Sequence, residues 1–358
     1  MSEREITPGK IAFIGSGETT PVGGLIFEKL AANLPQPLDI SVLETPAGFE
    51  LNSPQVAGRV ADYMAKRLQN YAPAVHVVAA RKRHTPFSPD DDETIQDVWK
   101  SGLIFMGPGS PTYAVRQLTG SKLWHILQAR HRFGASLAFA SAATIALGRY
   151  CLPVYEIYKA GEDIHWRAGL DLFSSWNLSL IFIPHWNNTD GGKELDTSRC
   201  FMGVDRFEAL VALLPEPCTI LGVDEHTAAV FDFNRECIAV LGKGSVHIQY
   251  MSERHSYPKG SHIPFSQLGQ YRRLAELNAG SEIPPELWQK ALSTLEHTTE
   301  DDIKLQVPQQ ILDIVNEREQ ARREKDWQRS DALRDRIATH GWQIKDTPSG
   351  PLVERTEE

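Results

Sequence analysis

The sequence predicts an α/β protein: a doubly wound, mostly parallel sheet followed by a small C-terminal α+β unit of two helices and a hairpin. Three observations carry this. Short apolar runs alternate with stretches of helical spacing over the first half of the chain, strand-like runs crowd together between residues 219 and 250, and a separate amphipathic segment begins near residue 309.

KIAFIG (10–15), DISVLE (39–44), AVHVVAA (74–80), GLIFMG (102–107) and SLAFA (136–140) are short apolar runs bounded by turn residues. Strands buried on both faces read this way. Between them, Gln55–Tyr71, Asp92–Lys100 and Tyr113–Arg130 carry helical spacing. The alternation gathers loops at the C-terminal edge of the strands, where such sheets bind ligands. SLIFIP (179–184), TILGVD (219–224), AAVFDF (228–233), ECIAVLG (236–242) and SVHIQY (245–250) follow, the last four so closely spaced that they predict an antiparallel extension of the sheet.

Beyond residue 265 the character changes. Leu268–Asn278 and Pro285–Thr298 have helical spacing, and HTTEDDIKLQVP (297–308) is polar. The expected organisation is an α/β domain over 1–265, a helical linker region over 266–307 and a terminal unit over 308–358. In that unit the first helix presents Ile311, Ile314, Val315 and Ala321 on its apolar side. Ser330 or Asp331 is placed to cap the second helix and Gly341 to end it, and WQIKDTPSGPLVER reads as a hairpin turning at Pro348-Ser349-Gly350.

The chain has 358 residues, 41% hydrophobic and 23% charged, which is ordinary for a soluble globular protein. It has no apolar run long enough to span a membrane and no secretory signal, so the expectation is a cytoplasmic protein without a membrane partner. The four cysteines are widely spaced and match no zinc pattern, so free and mostly buried thiols are expected, with no metal. A formal charge of −9 argues against a broad nucleic-acid surface while leaving a local patch open. No cofactor is expected either: FIGSGETT (13–20) has Gly15 and Gly17, but Thr20 stands at the third glycine position of a dinucleotide fingerprint.

The candidate chemistry lies at strand ends. In LAFASAATIALG (137–148), Ser141 stands where an apolar strand meets an alanine-rich helix. It is either a nucleophile on a sharp turn or a helix cap. In IFIPHWNNTDGG (181–192), His185 follows a buried strand and suits a general base; a surface histidine held by Asn187 or Asn188 is the alternative. PVYEIYKAGEDIHW (153–166) supplies acids between the two, of which Glu156 is the choice to orient His185. LGVDEHTAAVFD (221–232) puts Asp224, Glu225, His226 and Thr227 in one turn, lining a substrate site through Glu225 or forming a solvated hairpin. Arg199 and Arg206, in DTSRCFMGVDRF, are candidates to hold a substrate carboxylate. The glycine turns FIGSGETT and FMGPGSPTYAVRQL (105–118) offer backbone N–H groups to an oxyanion.

In order, FIGSGE, FMGPGS, FASAAT, IPHW and GVDEHTA resemble the cyanophycinase and dipeptidase E family of serine peptidases, over roughly residues 9–250. The resemblance implies the class I glutamine amidotransferase-like fold and cleavage of a small peptide or amide. It implies Ser141 as nucleophile, His185 as base, Glu156 near the acidic position, and the amides of Gly109 and Ala142 as the oxyanion hole. The family motif is Gly-x-Ser-Ala-Gly; Ser141 and Ala142 match it, whereas Phe139 and Ala143 replace the glycines. Amide transfer from glutamine uses a cysteine at the turn in this fold, and Cys151 lies too far along. The other reading is a catalytically inactive, peptidase-like binding protein.

NEREQARREKDWQRSDALRDRIATHGWQIKDTPSGPLVE (316–354) resembles the C-terminal piece of bacterial cysteinyl-tRNA synthetases, through Arg318, Ala321, Arg322, Lys325, Asp326, Trp327, Asp331, Arg334 and Asp335. This implies tRNA or a protein as partner for residues 308–358, with Arg318, Arg322, Arg329 and Arg334 either lining one face or forming solvated ion pairs. The HIGH and KMSKS signatures are absent from the sequence, so the chain is not expected to be an aminoacyl-tRNA synthetase.

Overall fold

The computed structural model describes residues 7–274, 282–294, 309–324, 326–347 and 350–355. The chain divides into two compact units, Met1–Leu295 and Glu296–Glu358.

The first unit is built on strands β1 (Ile11–Ile14), β2 (Asp39–Leu43), β3 (Ala74–Val78), β4 (Leu103–Met106) and β5 (Ser136–Ala140), all parallel, in the order β1-β5-β4-β2-β3. β1, β4 and β5 are buried at every position and, but for Ser136, apolar, as suits central strands covered on both faces. Helices α1 (Pro21–Ala31), α2 (Ser53–Arg67), α3 (Pro111–Leu118) and α4 (Lys122–Arg132) connect them. The segment expected as one helix over Tyr113–Arg130 is two, because Gly120 turns the chain at φ 66° and serines cap both starts. Ser110 Oγ accepts from the Tyr113 amide at 3.1 Å, and Ser121 Oγ from that of Trp124 at 3.1 Å. Asp92–Lys100 is not a helix beyond a short 3-10 turn at Gln96–Trp99. There Asp91 draws the amide and hydroxyl of Thr94 into a local turn, both at 2.8 Å, which competes with helical bonding.

After β5 come α5 (Ala142–Ala146), β6 (Tyr150–Cys151), α6 (Val154–Tyr158), β7 (Arg167–Ala168), β8 (Leu180–Ile183), the kinked turn α7 (Ser198–Phe201) and α8 (Val204–Ala212). The strands that follow are β9 (Thr219–Val223), β10 (Thr227–Asp232), β11 (Cys237–Gly242), β12 (Ser245–Tyr250), β13 (Glu253–Pro258) and β14 (His262–Pro264). The expected antiparallel extension is only partly realised. β10, β11 and β14 extend the main sheet beyond β1, while β8, β9, β12 and β13 form a second sheet in which β8 and β9 are parallel. Phe13 of β1 and Phe182 of β8 stack at 3.9 Å between ring centroids, joining the two sheets through one core.

Residues 268–273 form no helix, and 275–278 lie outside the described residues. Helix α9 occupies 285–294 of the expected Pro285–Thr298, whose last residues are also outside, as is HTTEDDIKLQVP. Leu274, Ile283 and Ala291 are buried in the core of the first unit, so this stretch packs with it. Cys151, Cys200 and Cys218 are free and buried, and Cys237 is free and half-buried. Among the described residues no helix is long and apolar enough to cross a membrane.

The second unit comprises α10 (Gln309–Arg323), α11 (Trp327–Thr339) and the antiparallel pair β15 (Trp342–Thr347) and β16 (Gly350–Arg355). Ile311, Ile314, Val315 and Ala321 are buried with Leu333, Ile337 and Ile344. Asp326, rather than Ser330 or Asp331, caps α11, accepting from the Arg329 amide at 3.0 Å, and Gly341 follows the helix at φ 77°. Pro348 and Ser349, the expected turn, lie outside the described residues.

His131, at the end of α4, is fully buried, and burial drives its pKa from 6.5 to about 3. Its Nε2 lies 2.8 Å from the Gly9 carbonyl, so the ring is neutral and donates there. Below pH 6.5 the unfolded chain binds a proton that the folded one refuses until about pH 3, and stability falls across that window. A His131→Gln variant is expected to be less stable at pH 7 but to lose this share of the acid slope, as read from urea midpoints across the pH range.

Candidate active site

Ser141 is the residue between β5 and α5, at φ 52° and ψ −116°. A non-glycine residue there is strained by roughly 1–3 kcal/mol and persists only where its surroundings fix it. The Ser141 amide donates to the Ile14 carbonyl at 3.3 Å, and the Ala143 amide to that of Gly107 at 3.3 Å, tying the turn to β1 and to the loop after β4. No side-chain cap is made, so Ser141 does not act as an ordinary helix cap. Phe139 does not crowd it: strand alternation sends that ring into the core, 5.7 Å from Phe13, and Ala143 is likewise buried there.

His185 follows β8 at φ 51°, and its Nε2 lies 3.0 Å from Ser141 Oγ. Its Nδ1 lies 3.0 Å from Glu225 Oε1, which also accepts from Asn188 Nδ2 at 3.0 Å. The carboxylate fixes the tautomer: Nδ1 carries the proton and Nε2 is left to accept the serine hydroxyl. This pairing corrects the expectation for Glu156. β8 and β9 are adjacent and parallel, so their C-terminal ends bring His185 and Glu225 together, whereas Glu156 rides on α6 and accepts from Thr112 Oγ1 instead. Glu225, expected as a substrate contact, turns its carboxylate to the histidine.

Gly109, in the loop before α3, has φ 143°, and a Cβ there would lie 2.2 Å from the Pro46 carbonyl, so only glycine fits. Among the described residues the amides of Gly109 and Ala142 make no hydrogen bond. The first glycine turn serves packing: a Cβ on Gly15 would meet the Asp224 carbonyl at 2.1 Å, and one on Gly17 the His226 ring at 2.4 Å. It thereby lets the turn carrying Glu225 lie close. Arg199 is committed to Trp186, and Arg206 is exposed on α8. Cys200 is buried beside the histidine loop, and burial pushes its thiol up to about 12, too high to act as a nucleophile. Among the described residues no group of three or more His, Cys, Asp or Glu is arranged to hold a metal ion.

The His185 and Asn188 hydrogen bonds pull the Glu225 pKa from 4.5 to about 2, against a smaller desolvation penalty. Glu225 is thus ionised at neutral pH and suited to stabilise a histidine that gains a proton.

A strained serine at a strand-to-helix turn, a histidine and a carboxylate at parallel strand ends thus form one hydrogen-bonded chain. Comparison with known proteins places the two units separately. The fold of the first is shared with a crystal structure of a peptidase from an acI-B1 Actinobacterium, at a TM-score of 0.59 and 21% identity, covering 74% of this chain and all of that one. Residues 306–350 match the cysteinyl-tRNA ligase anticodon binding domain. The same region is 47% identical over 51 residues to the cysteine–tRNA ligase of Chlamydia caviae, covering 14% of this chain and 11% of that protein. It is 43% identical over 53 residues to that of Methanosarcina mazei, covering 15% and 11%. The chain therefore spans about a tenth of the length of these curated relatives.

Replacing Asn188 by alanine removes one of the three side chains, with His185 and His226, that lower the Glu225 pKa. The carboxyl is expected to titrate above about 2 and nearer 4.5, visible in side-chain carboxyl NMR. Stability from a depressed carboxyl is complete above its unfolded value and is lost as pH falls toward its folded one. The loss should therefore begin at the same pH in Asn188→Ala as in the parent, but be smaller and end at a higher pH.

Proposed function

We propose that the first unit is a serine hydrolase of peptidase type that cleaves a small peptide or amide through Ser141, His185 and Glu225. The observation that carries this reading is the continuous chain Ser141 Oγ, His185 Nε2, His185 Nδ1, Glu225 Oε1, with 3.0 Å at each hydrogen bond. Ser141 attacks the carbonyl carbon as His185 takes its proton. Glu225 holds the ring and stabilises the imidazolium, and His185 then protonates the leaving amine. The oxyanion is received by the amides of Gly109 and Ala142. Water resolves the acyl-enzyme by the same proton route in reverse.

In the second unit, similarity to an anticodon binding domain supports tRNA as the partner of residues 308–358. Acids and bases roughly balance there, so affinity is expected to be modest and to fall only shallowly as salt rises.

Labelling with a fluorophosphonate tests the hydrolase. The parent is expected to react at Ser141 and Ser141→Ala not at all. Glu225→Gln should slow the reaction by about 10²-fold or more, since a mispaired histidine loses its tautomer. Glu156→Gln should stay within a few-fold of the parent. Equal labelling of parent and Ser141→Ala would leave an inactive binding protein. For the second unit, titration of the full chain with tRNA should show affinity falling as salt rises, and Arg329→Glu should weaken it. Salt-independent or absent binding would point to a protein partner.

A further inference from the structure

Resting on the hydrolase reading, we infer that Arg199 is a positioning residue that holds the backbone of His185 in place through Trp186, and that it does not receive a substrate carboxylate. Arg199, Cys200 and Phe201 are three successive residues with positive φ, at 56°, 57° and 68°. Left-handed conformation costs an L-residue roughly 1–2 kcal/mol, so such a run needs compensating contacts. The Phe201 amide donates to the Thr197 carbonyl at 2.9 Å and its ring lies 5.3 Å from that of Tyr158, while several further contacts of the run reach the histidine and its neighbour. The Cys200 amide donates to the His185 carbonyl at 3.2 Å, and the Arg199 amide and Nη1 donate to the Trp186 carbonyl at 2.9 and 3.0 Å. The Phe201 ring sits 6.1 Å from that of His185.

The guanidinium lies 3.8 Å from the centroid of the Trp186 ring. Trp186 is itself seated against the second sheet. His247 stacks with it at 5.4 Å and 20°, and a Cβ on Gly222 would come within 2.3 Å of the indole. Trp186 also donates its amide to the Val223 carbonyl at 3.1 Å, at the end of the strand that leads to Glu225. Arg199 therefore closes a clamp whose other jaw is β9 and β12. The clamp fixes the two residues whose backbone must stay in register for the His185 ring to reach Ser141 and Glu225 together. Arg199 is also half-buried, its pKa lowered chiefly by that burial.

A neutral fluorophosphonate separates positioning from carboxylate binding, because it carries no carboxylate to bind. Arg199→Ala is expected to cut the second-order rate of Ser141 labelling by at least about tenfold, since small misplacements of a catalytic group have large effects on rate. It is also expected to shift or broaden the downfield His185 Nδ1 proton in NMR. Arg199→Lys should fail to restore either, because an ammonium keeps the charge but lacks the planar face and fork of donors. Arg206→Ala should match the parent. A parental labelling rate in Arg199→Ala, or full rescue by lysine, overturns the inference. If Arg199→Ala does not fold, Arg199→Lys is read on its own against the parent. If the parent itself does not label, the hydrolase reading fails and the His185 proton alone decides: unmoved in Arg199→Ala, it overturns positioning as well.

Discussion

The hydrogen bond between His185 Nδ1 and Glu225 Oε1 is the constraint on which the site depends, and it follows from one topological fact. β8 and β9 run parallel and side by side, so the residues just past their C-terminal ends meet. A bond to an ionised partner contributes roughly 1.5–3 kcal/mol. That is comparable to the strain of holding His185 at positive φ and so can offset it, alongside the Cys200 and Asn188 amides that donate to the His185 carbonyl. Ser141 is strained independently, by the turn from β5 into α5. The two sheets must then be held in a fixed relation for serine and histidine to meet, and the stacked Phe13 and Phe182 rings lie where that relation is set.

Electrostatics reinforces the geometry. Glu225 accepts from both His185 and Asn188 and stays ionised far below neutrality, so it favours the positively charged histidine that proton transfer creates. The thiol nearest the histidine loop, Cys200, is driven the other way by burial and is kept out of the chemistry. Two groups a few residues apart along the histidine's surroundings are thus pushed toward opposite protonation behaviour, one by donors aimed at its charge and the other by their lack.

The parallel core was legible because buried strands announce themselves as continuous apolar runs, and all five expected strands from 10 to 140 are present. Ser141 and His185 were legible for a related reason: each follows such a run directly. Glu225 was visible only as part of a polar turn, since choosing it over Glu156 needs the knowledge that β9 is the parallel neighbour of β8. Apolar runs do not encode their neighbours. The division of the late strands between two sheets was hidden for the same reason. Asp92–Lys100 failed differently: its spacing is helical, but an aspartate bonding to its own local backbone prevailed. Arg199 looked like an anion receptor because sequence shows the charge and not the indole that takes it up.

The second unit shows how far a motif can be separated from the field it suggests. Its arginines invite a picture of one basic face, yet Arg318 is 1% exposed and pairs with Glu319, whose own side chain is 30% exposed. Burying an arginine in a unit this size is unfavourable unless its charge is met, so Arg318 belongs to the fold of α10 and cannot reach a phosphate without disrupting it. The residues left to contact a partner are exposed ones such as Arg329 and Trp327, the latter 58% exposed at the start of α11. Any recognition by this unit then rests on a few groups on a nearly neutral surface, where an aromatic face and a local cation matter more than net charge.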